Sequence, residues 1–251
     1  VFFPQLGGGR ADTSHMLTPL VDELTSLLFR PACAACDELL APGEQALCST
    51  CRISVCELGA ACPRCAEPLG TSVSLVCQRC CNTTPAFDTI VSPYRYGGQL
   101  AEALRRLKFH NRSDIARTLA PLIGPMLRAA ADACDLVMPM PLHKRRQRER
   151  GYNQSALLLR YARPTPPVDC LSLRRPRATA PQSGLSATAR RRNMARAFVV
   201  PPRRRRHVAG RTVLIVDDVV TTGATMDAAA AALHAAGAAA VVGFCAARAE
   251  F

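Results

Sequence analysis

Apolar positions along the chain recur at two spacings, helical and strand-like, and the alternation between them outlines the fold. Over residues 16–29, Leu17, Leu20, Val21, Leu24, Leu27 and Leu28 repeat at helical spacing until Pro31 closes the run. The same period predicts helices over 100–109 and 115–131, and another over 151–163 with Ala156, Leu157, Leu158 and Tyr161 on one side. Short apolar runs of strand type separate them: within 87–96, within 135–143 before a basic loop, then 168–173, 198–200, 213–216 and 240–246. A helix from Met226 to Ala236 follows the fifth of these runs, and Gly237 stops it. Residues 1–15 read as a disordered start, 164–167 as a linker, 174–195 as a mobile loop without apolar period, and Arg203 to Arg206 as a solvated charge run. Strands alternating with helices predict an α/β domain built on a mostly parallel sheet covered on both faces. Ligands in such sheets bind beyond the carboxyl ends of the strands.

Composition narrows this picture. The 251 residues include no Trp, four Tyr and eight Phe, so aliphatic side chains and Ala must fill the core. No apolar run approaches the ~20 residues of a membrane span. The first residues lack the basic and long apolar regions of a signal peptide, so a soluble, cytoplasmic protein is expected. The net charge of +13 is unevenly placed: residues 144–206 hold eighteen basic against two acidic side chains. Such a field favours polyanions, either nucleic acid or pyrophosphate-bearing substrates. The competing explanation is compositional, since thirty of the 32 basic residues are Arg in an Ala-rich chain.

Ten of the thirteen cysteines lie between Cys33 and Cys81. The spacing Cys33-x2-Cys36-x11-Cys48-x2-Cys51 recurs 29 residues later as Cys62-x2-Cys65-x11-Cys77-x2-Cys80. Four Cys-x2-Cys pairs without a secretion signal point to zinc rather than to disulfides, because four thiolates complete a tetrahedron. Sequential use of the pairs gives two separate four-cysteine sites, and a cross-braced arrangement mixing the repeats is the alternative. Closed sites of this kind are structural and not catalytic. Cys56 and Cys81 are surplus, although Cys81 could replace Cys80; Cys134, Cys170 and Cys245 sit in apolar surroundings as small hydrophobes.

The segment from Val213 to Thr225 carries the sharpest chemical signal. Four apolar β-formers end on Asp217 and Asp218, then Thr221, Thr222, Gly223, Ala224 and Thr225 lead into a helix. Backbone N–H groups of such a turn, the positive helix end and the Thr hydroxyls can hold a phosphate, and Gly223 permits close approach. The paired carboxylates suit sugar hydroxyls or a hydrated Mg²⁺. An ordinary strand followed by a capped helix start needs neither the double Asp nor the Thr-Thr-Gly-x-Thr turn. The segment resembles the 5-phosphoribosyl-1-pyrophosphate (PRPP) motif of type I phosphoribosyltransferases. That resemblance implies Asp217 and Asp218 at the ribose 2′ and 3′ hydroxyls and Thr221 to Thr225 around the 5′-phosphate.

Two further segments narrow the family: Pro139 to Gln154, containing Pro141, Leu142, His143, Arg146 and Arg150, and Thr179 to Leu185 followed by Arg190 to Asn193. With the cysteine pairs before and the PRPP motif behind, the order over residues 30–248 resembles the ComF/GntX family of competence-associated proteins. The resemblance implies three parts: residues 1–30 as an N-terminal segment with one helix, 31–84 as a zinc-binding domain, and 85–251 as a type I phosphoribosyltransferase-like domain. It also implies Pro141, Leu142 and His143 in the pyrophosphate loop, Arg146 and Arg150 facing the pyrophosphate, 181–193 as the closing loop, and a role with single-stranded DNA in natural transformation. Two departures stand out, the lack of a base-binding hood segment and an N-terminus given to cysteines, and both leave the acceptor undefined. The expected enzyme binds Mg²⁺–PRPP and transfers phosphoribosyl. One alternative is a non-catalytic, PRPP-responsive scaffold for single-stranded DNA, and another is a zinc region that docks a membrane or a helicase of the uptake machinery.

Overall fold

The computed structural model describes residues 31–70, 75–176 and 197–250, so the helix expected over 16–29 and most of the loop expected over 174–195 lie outside the described residues. A parallel sheet organises the rest. It comprises β1 (Thr89–Val91), β2 (Tyr94–Arg95), β3 (Leu136–Pro139), β4 (Thr212–Val220) and β5 (Ala240–Arg248). The strand order is β1-β5-β4-β3, with β2 also pairing with β5, and all of these pairings are parallel. The longest strands, β4 and β5, lie together at the centre.

The period of two along β4 divides the core. Leu214 and Val216 join one apolar cluster, Val213 and Ile215 the other. The first cluster packs under α3 (Gly98–Phe109), α4 (Asp114–Asp132) and α6 (Gln154–Ala162), and Leu100, Leu104, Ile123 and Leu158 are its buried contributions. The second packs under α7 (Ala224–His234) through Met226, Ala229, Ala230 and Leu233. Both faces of the sheet are therefore covered, as parallel strands require.

The cysteine-rich region repeats in structure as it does in sequence. Each repeat opens with a tight knuckle: Cys33 N donates to Glu38 O and Asp37 N to Cys33 O, and 29 residues on Cys62 N donates to Glu67 O and Ala66 N to Cys62 O. Each closes with a short helix, α1 (Ser49–Arg52) or α2 (Gln78–Asn82), whose preceding residue is Cys48 or Cys77. The first knuckle packs into the cluster beneath α3 and the second into the cluster beneath α7.

Four local expectations need correction, the first being the strand expected over 198–200, where only the isolated bridge Arg174–Val199 forms. Residues 168–173 form no strand; only the bridge Val137–Val168 joins the sheet, because Asp169 Oδ1 accepts from Leu171 N and Ser172 N and curls the chain into a turn. The basic loop after β3 is instead the helix α5 (Lys144–Arg150), capped by His143, whose Nδ1 accepts from Arg145 N, and terminated by Gly151 at φ +79. The arginine run lies in a 3-10 helix, Pro202–His207.

Leu119 is fully buried on α4 within the first cluster. Leu119→Ala is expected to lower unfolding free energy by about 2–5 kcal/mol, transfer plus cavity terms, as read from urea denaturation followed by circular dichroism.

Candidate functional site

The carboxyl ends of β3, β4 and β5 open into a cavity of about 420 Å³, within the ordinary range for small-molecule sites. Asp217 and Asp218 come from the end of β4, Thr221, Gly223, Ala224 and Thr225 from the turn into α7, and Leu142, Arg146 and Arg150 from the segment after β3. Residues distant in the sequence thus converge where the sheet topology directs ligands. Gly223 adopts φ +76, the left-handed region that glycine enters without a Cβ penalty, and its backbone there turns the chain onto the N-terminus of α7.

Three of the residues singled out from the sequence do not line this cavity among the described residues: Pro141, His143 and Thr222. His143 caps α5, so its ring makes a helix-capping contact and does not face the cavity. Thr222 Oγ1 accepts from Ala224 N at 3.4 Å, which closes the turn. Its neighbourhood is a smaller cavity of about 110 Å³, shared with Cys65, Arg79 and Cys80 of the second cysteine cluster.

The acidic pair is held by partners from two helices. Asp218 is buried; its Oδ2 receives Lys108 Nζ from α3 at 2.8 Å and its Oδ1 receives Gln154 Nε2 from α6 at 3.3 Å. Asp217 Oδ1 accepts from Ser155 Oγ at 3.3 Å and from Asp218 N at 2.9 Å. Arg150 in turn hydrogen-bonds Gln154 Oε1. Burial alone would push the Asp218 carboxyl up, but the charge and hydrogen bond of Lys108 outweigh it and hold the group below the ordinary carboxylate range. Asp217 has the opposite fate: burial and then the Asp218 charge push it up to about 7, against the opposing pull of Lys108. Lys108 itself stays protonated, since the two carboxylates overcome the effect of its burial.

Lys108, Gln154, Ser155, Arg175, Phe109 and Tyr96 had no role assigned from the sequence, yet all but Ser155 line the cavity. One signal for Lys108 was present: it is one of two lysines in a chain with thirty arginines.

The cysteines gather by repeat. Sulfurs of Cys33, Cys36, Cys48 and Cys51 lie within 4.8 Å of one another, as do those of Cys62, Cys65, Cys77 and Cys80. This is the sequential pairing; the cross-braced alternative does not occur among the described residues. The donor set fits a thiolate-binding ion. Burial opposes ionisation of Cys33, but backbone N–H groups of Cys48, Ala35 and Cys36 outweigh it and bring the thiol down to about 7. Cys62 reaches about 7 in the same way through the N–H groups of Cys77, Cys65 and Arg64. Beside the second cluster, Arg79 Nη2 lies 3.3 Å from Cys65 Sγ, and the fully buried Arg248 pairs with Glu67. Arg248 Nε and Nη1 have no hydrogen-bond partner among the described residues, which leaves cationic donors available to anionic sulfur.

The description "phosphoribosyl transferase domain" fits residues 176–249. Curated relatives cover more of the chain. A DNA utilization protein YhgH of Salmonella typhi is 37% identical over 179 residues, spanning 66% of this chain and 76% of that protein. Competence protein F of Haemophilus influenzae is 32% identical over 180 residues, spanning 68% and 76% respectively. Competence protein ComFC of Bacillus subtilis is 32% identical over 128 residues, 48% of this chain and 52% of that one. The parallel sheet with its flanking helices is accordingly a phosphoribosyltransferase fold preceded by two four-cysteine groups.

The raised Asp217 fixes a sign for pH dependence. Its folded-state value of about 7 exceeds the ordinary 3.8, so its contribution to stability is present at low pH and is lost as pH rises through about 7. Asp217→Asn is therefore expected to stabilise the ligand-free protein relative to wild type above neutrality, and the gap should shrink towards pH 4. Thermal unfolding of both proteins across that range is the check; parallel curves would remove the assignment.

Proposed function

We propose, from the premise that the chain belongs to the ComF/GntX family of competence and DNA-utilization proteins, that its cavity binds Mg²⁺–PRPP and serves phosphoribosyl transfer in the handling of single-stranded DNA during uptake. The observation that carries this reading is the convergence of an acidic pair, a Thr/Gly turn at a helix N-terminus and two arginines around one cavity. In this reading Asp217 and Asp218 accept hydrogen bonds from the ribose 2′ and 3′ hydroxyls. The backbone N–H groups and hydroxyls of Thr221 to Thr225 cradle the 5′-phosphate. Pro141, Leu142 and His143 shape the pyrophosphate loop, His143 by capping α5 and thereby aiming Arg146 and Arg150 at the cavity.

Transfer breaks the bond from the anomeric carbon to pyrophosphate and forms one from that carbon to the acceptor, whose proton leaves. Bound Mg²⁺ would offset pyrophosphate charge. The chain's own contribution is electrostatic: fixed cations at the leaving group and fixed carboxylates beside a ring that gains positive charge. That chemistry asks little of a general base.

Asp218→Ala should abolish measurable PRPP binding in calorimetry, and Asp218→Asn should weaken it, with the circular dichroism spectrum retained in both. Affinity equal to wild type would remove the site assignment. A second reading, a PRPP-responsive scaffold without transfer, is favoured by α5: none of its seven residues is buried and five are basic, which suits contact with a nucleic-acid backbone whether or not chemistry follows. Pyrophosphate release on adding single-stranded DNA and PRPP together separates the two.

We read each cysteine cluster as a structural zinc site. Two equivalents of zinc per chain are expected by elemental analysis, falling to one in Cys62→Ser, and stripping by a strong chelator should lower the unfolding temperature by more than ten degrees or so, since metal affinity in such sites is folding free energy. Fewer than one equivalent in freshly purified wild type would contradict this.

A further inference from the structure

We infer that Phe109, backed by the Arg150 guanidinium, is the stacking platform for a nucleobase at the mouth of the cavity. For what lies beneath the base, the inference rests on the PRPP reading above, and it names the chemical class of acceptor or ligand that this reading leaves open.

Phe109 is the last residue of α3 and is 68% exposed, yet it lines the cavity. Among the described residues it is the only exposed aromatic; Phe87, Phe198 and Phe244 are buried, and Tyr94, Tyr96, Tyr152 and Tyr161 are half-buried. A chain with so few rings would gain by burying this one, since removing a Phe side chain from water is favourable. The fold instead ends a helix with the ring open to solvent at the cavity rim. Its neighbour Lys108 turns inward to Asp218. One helix end thus supplies both the cation that neutralises the floor and the ring at the entrance.

The ring is not loosely placed. The Arg150 guanidinium carbon lies 5.6 Å from its centroid, within cation–π range, and Arg150 is tied through Gln154 to Asp218. Ring, guanidinium and acidic pair therefore form one connected unit. A flat apolar face beside fixed positive charge selects a planar π-system attached to phosphate, because each base has a face to stack while its phosphates seek the arginines. An aliphatic ligand would not use the charge, and an inorganic anion would not use the ring. The exposed basic side chains of α5, which ends in Arg150, continue the positive surface away from the rim, where a strand backbone would run.

Because the chain contains no Trp, Phe109→Trp places a single reporter at the platform. The probes are a short oligothymidylate, an abasic strand of the same length, and free adenine in the presence of PRPP. Emission of the Phe109→Trp protein should be quenched saturably by a base-bearing probe and not by the abasic strand. Phe109→Ala should weaken binding of that probe by about five- to a hundred-fold, the range that base–aromatic stacking supplies, while the abasic strand binds it and wild type alike. Quenching by adenine identifies a small-molecule base, and quenching by oligothymidylate alone identifies a strand. Equal affinity of wild type and Phe109→Ala for both base-bearing probes overturns the platform. PRPP titrated into wild type alone reports on the sugar-phosphate site separately: PRPP binding without base dependence sinks the platform only, whereas base-dependent binding without PRPP affinity sinks the sugar-phosphate reading.

Discussion

Two adjacent carboxylates at the end of a buried strand cannot both ionise without nearby positive charge, and the architecture around β4 answers that constraint. Lys108 arrives from α3, 110 residues away, to pair with Asp218 at 2.8 Å, and Gln154 and Ser155 arrive from α6 to hydrogen-bond the pair. The cost of desolvating a charge is met only where partners are fixed by packing. That is why α3 and α6 are both anchored by fully buried leucines, Leu104 and Leu107 on one and Leu158 on the other. Tyr152 reinforces the link by donating to Leu107 O at 2.5 Å, joining the start of α6 to the end of α3. Lys108 pairs directly with Asp218, and Asp217 is left undercompensated, so the site is poised to accept positive charge or hydroxyl donors from a ligand.

Much of this was legible in the sequence wherever the determinant is local. The strand that carries Asp217, the turn at Gly223 and the repeated cysteine spacing all act over fewer than twenty residues and appear at their expected places, although β4 runs on through both aspartates to Val220 instead of stopping at them. Residues 168–173 carry apolar side chains that suggest pairing, but the Asp169 carboxylate accepts from Leu171 N and Ser172 N and the turn wins. Helix α5 was missed because seven polar and charged residues carry no apolar period, although Gly151 gave its stop. Lys108, Phe109 and Arg175 were invisible as site residues for a different reason. Their role arises only when the sheet order brings α3 and the segment after α6 to the end of β4, and no spacing along the chain records that.

The cysteine-rich region is bound to the sheet by more than sequence proximity. Ile90 N donates to Arg64 O at 2.8 Å and Thr89 Oγ1 to Pro63 O, so the second knuckle lies along β1 and covers what would otherwise be an open edge. Leu58 N donates to Pro93 O and Arg95 N to Cys56 O, which ties the segment between the knuckles to the chain around β2. The boundary drawn at residues 84 and 85 is therefore crossed by a hydrogen-bonded seam. Metal held by the second cluster would brace the sheet edge as well as its own knuckle.

That seam reaches the Thr/Gly turn itself. Asp227, in the first turn of α7, accepts from Ala86 N at 2.6 Å, and the Phe87 ring lies beneath Gly223, about 3.5 Å from where a Cβ would stand. Arg248, at the end of β5 and one residue before cavity-lining Ala249, points the other way to Glu67, which also binds Arg79 beside Cys65. The turn that would hold a phosphate is thus supported from below by the linker leaving the second cysteine cluster, while the first cluster packs against the helix that carries Lys108. Each cluster props a different wall of one cavity. A backbone cradle selects its ligand only if its N–H groups keep their directions without the ligand present, and in an aromatic-poor chain with small aliphatic side chains those directions need bracing from outside the sheet. The two four-cysteine knuckles, one packed into each apolar cluster, lie where such bracing would have to come from, and metal held by them would stiffen both supports.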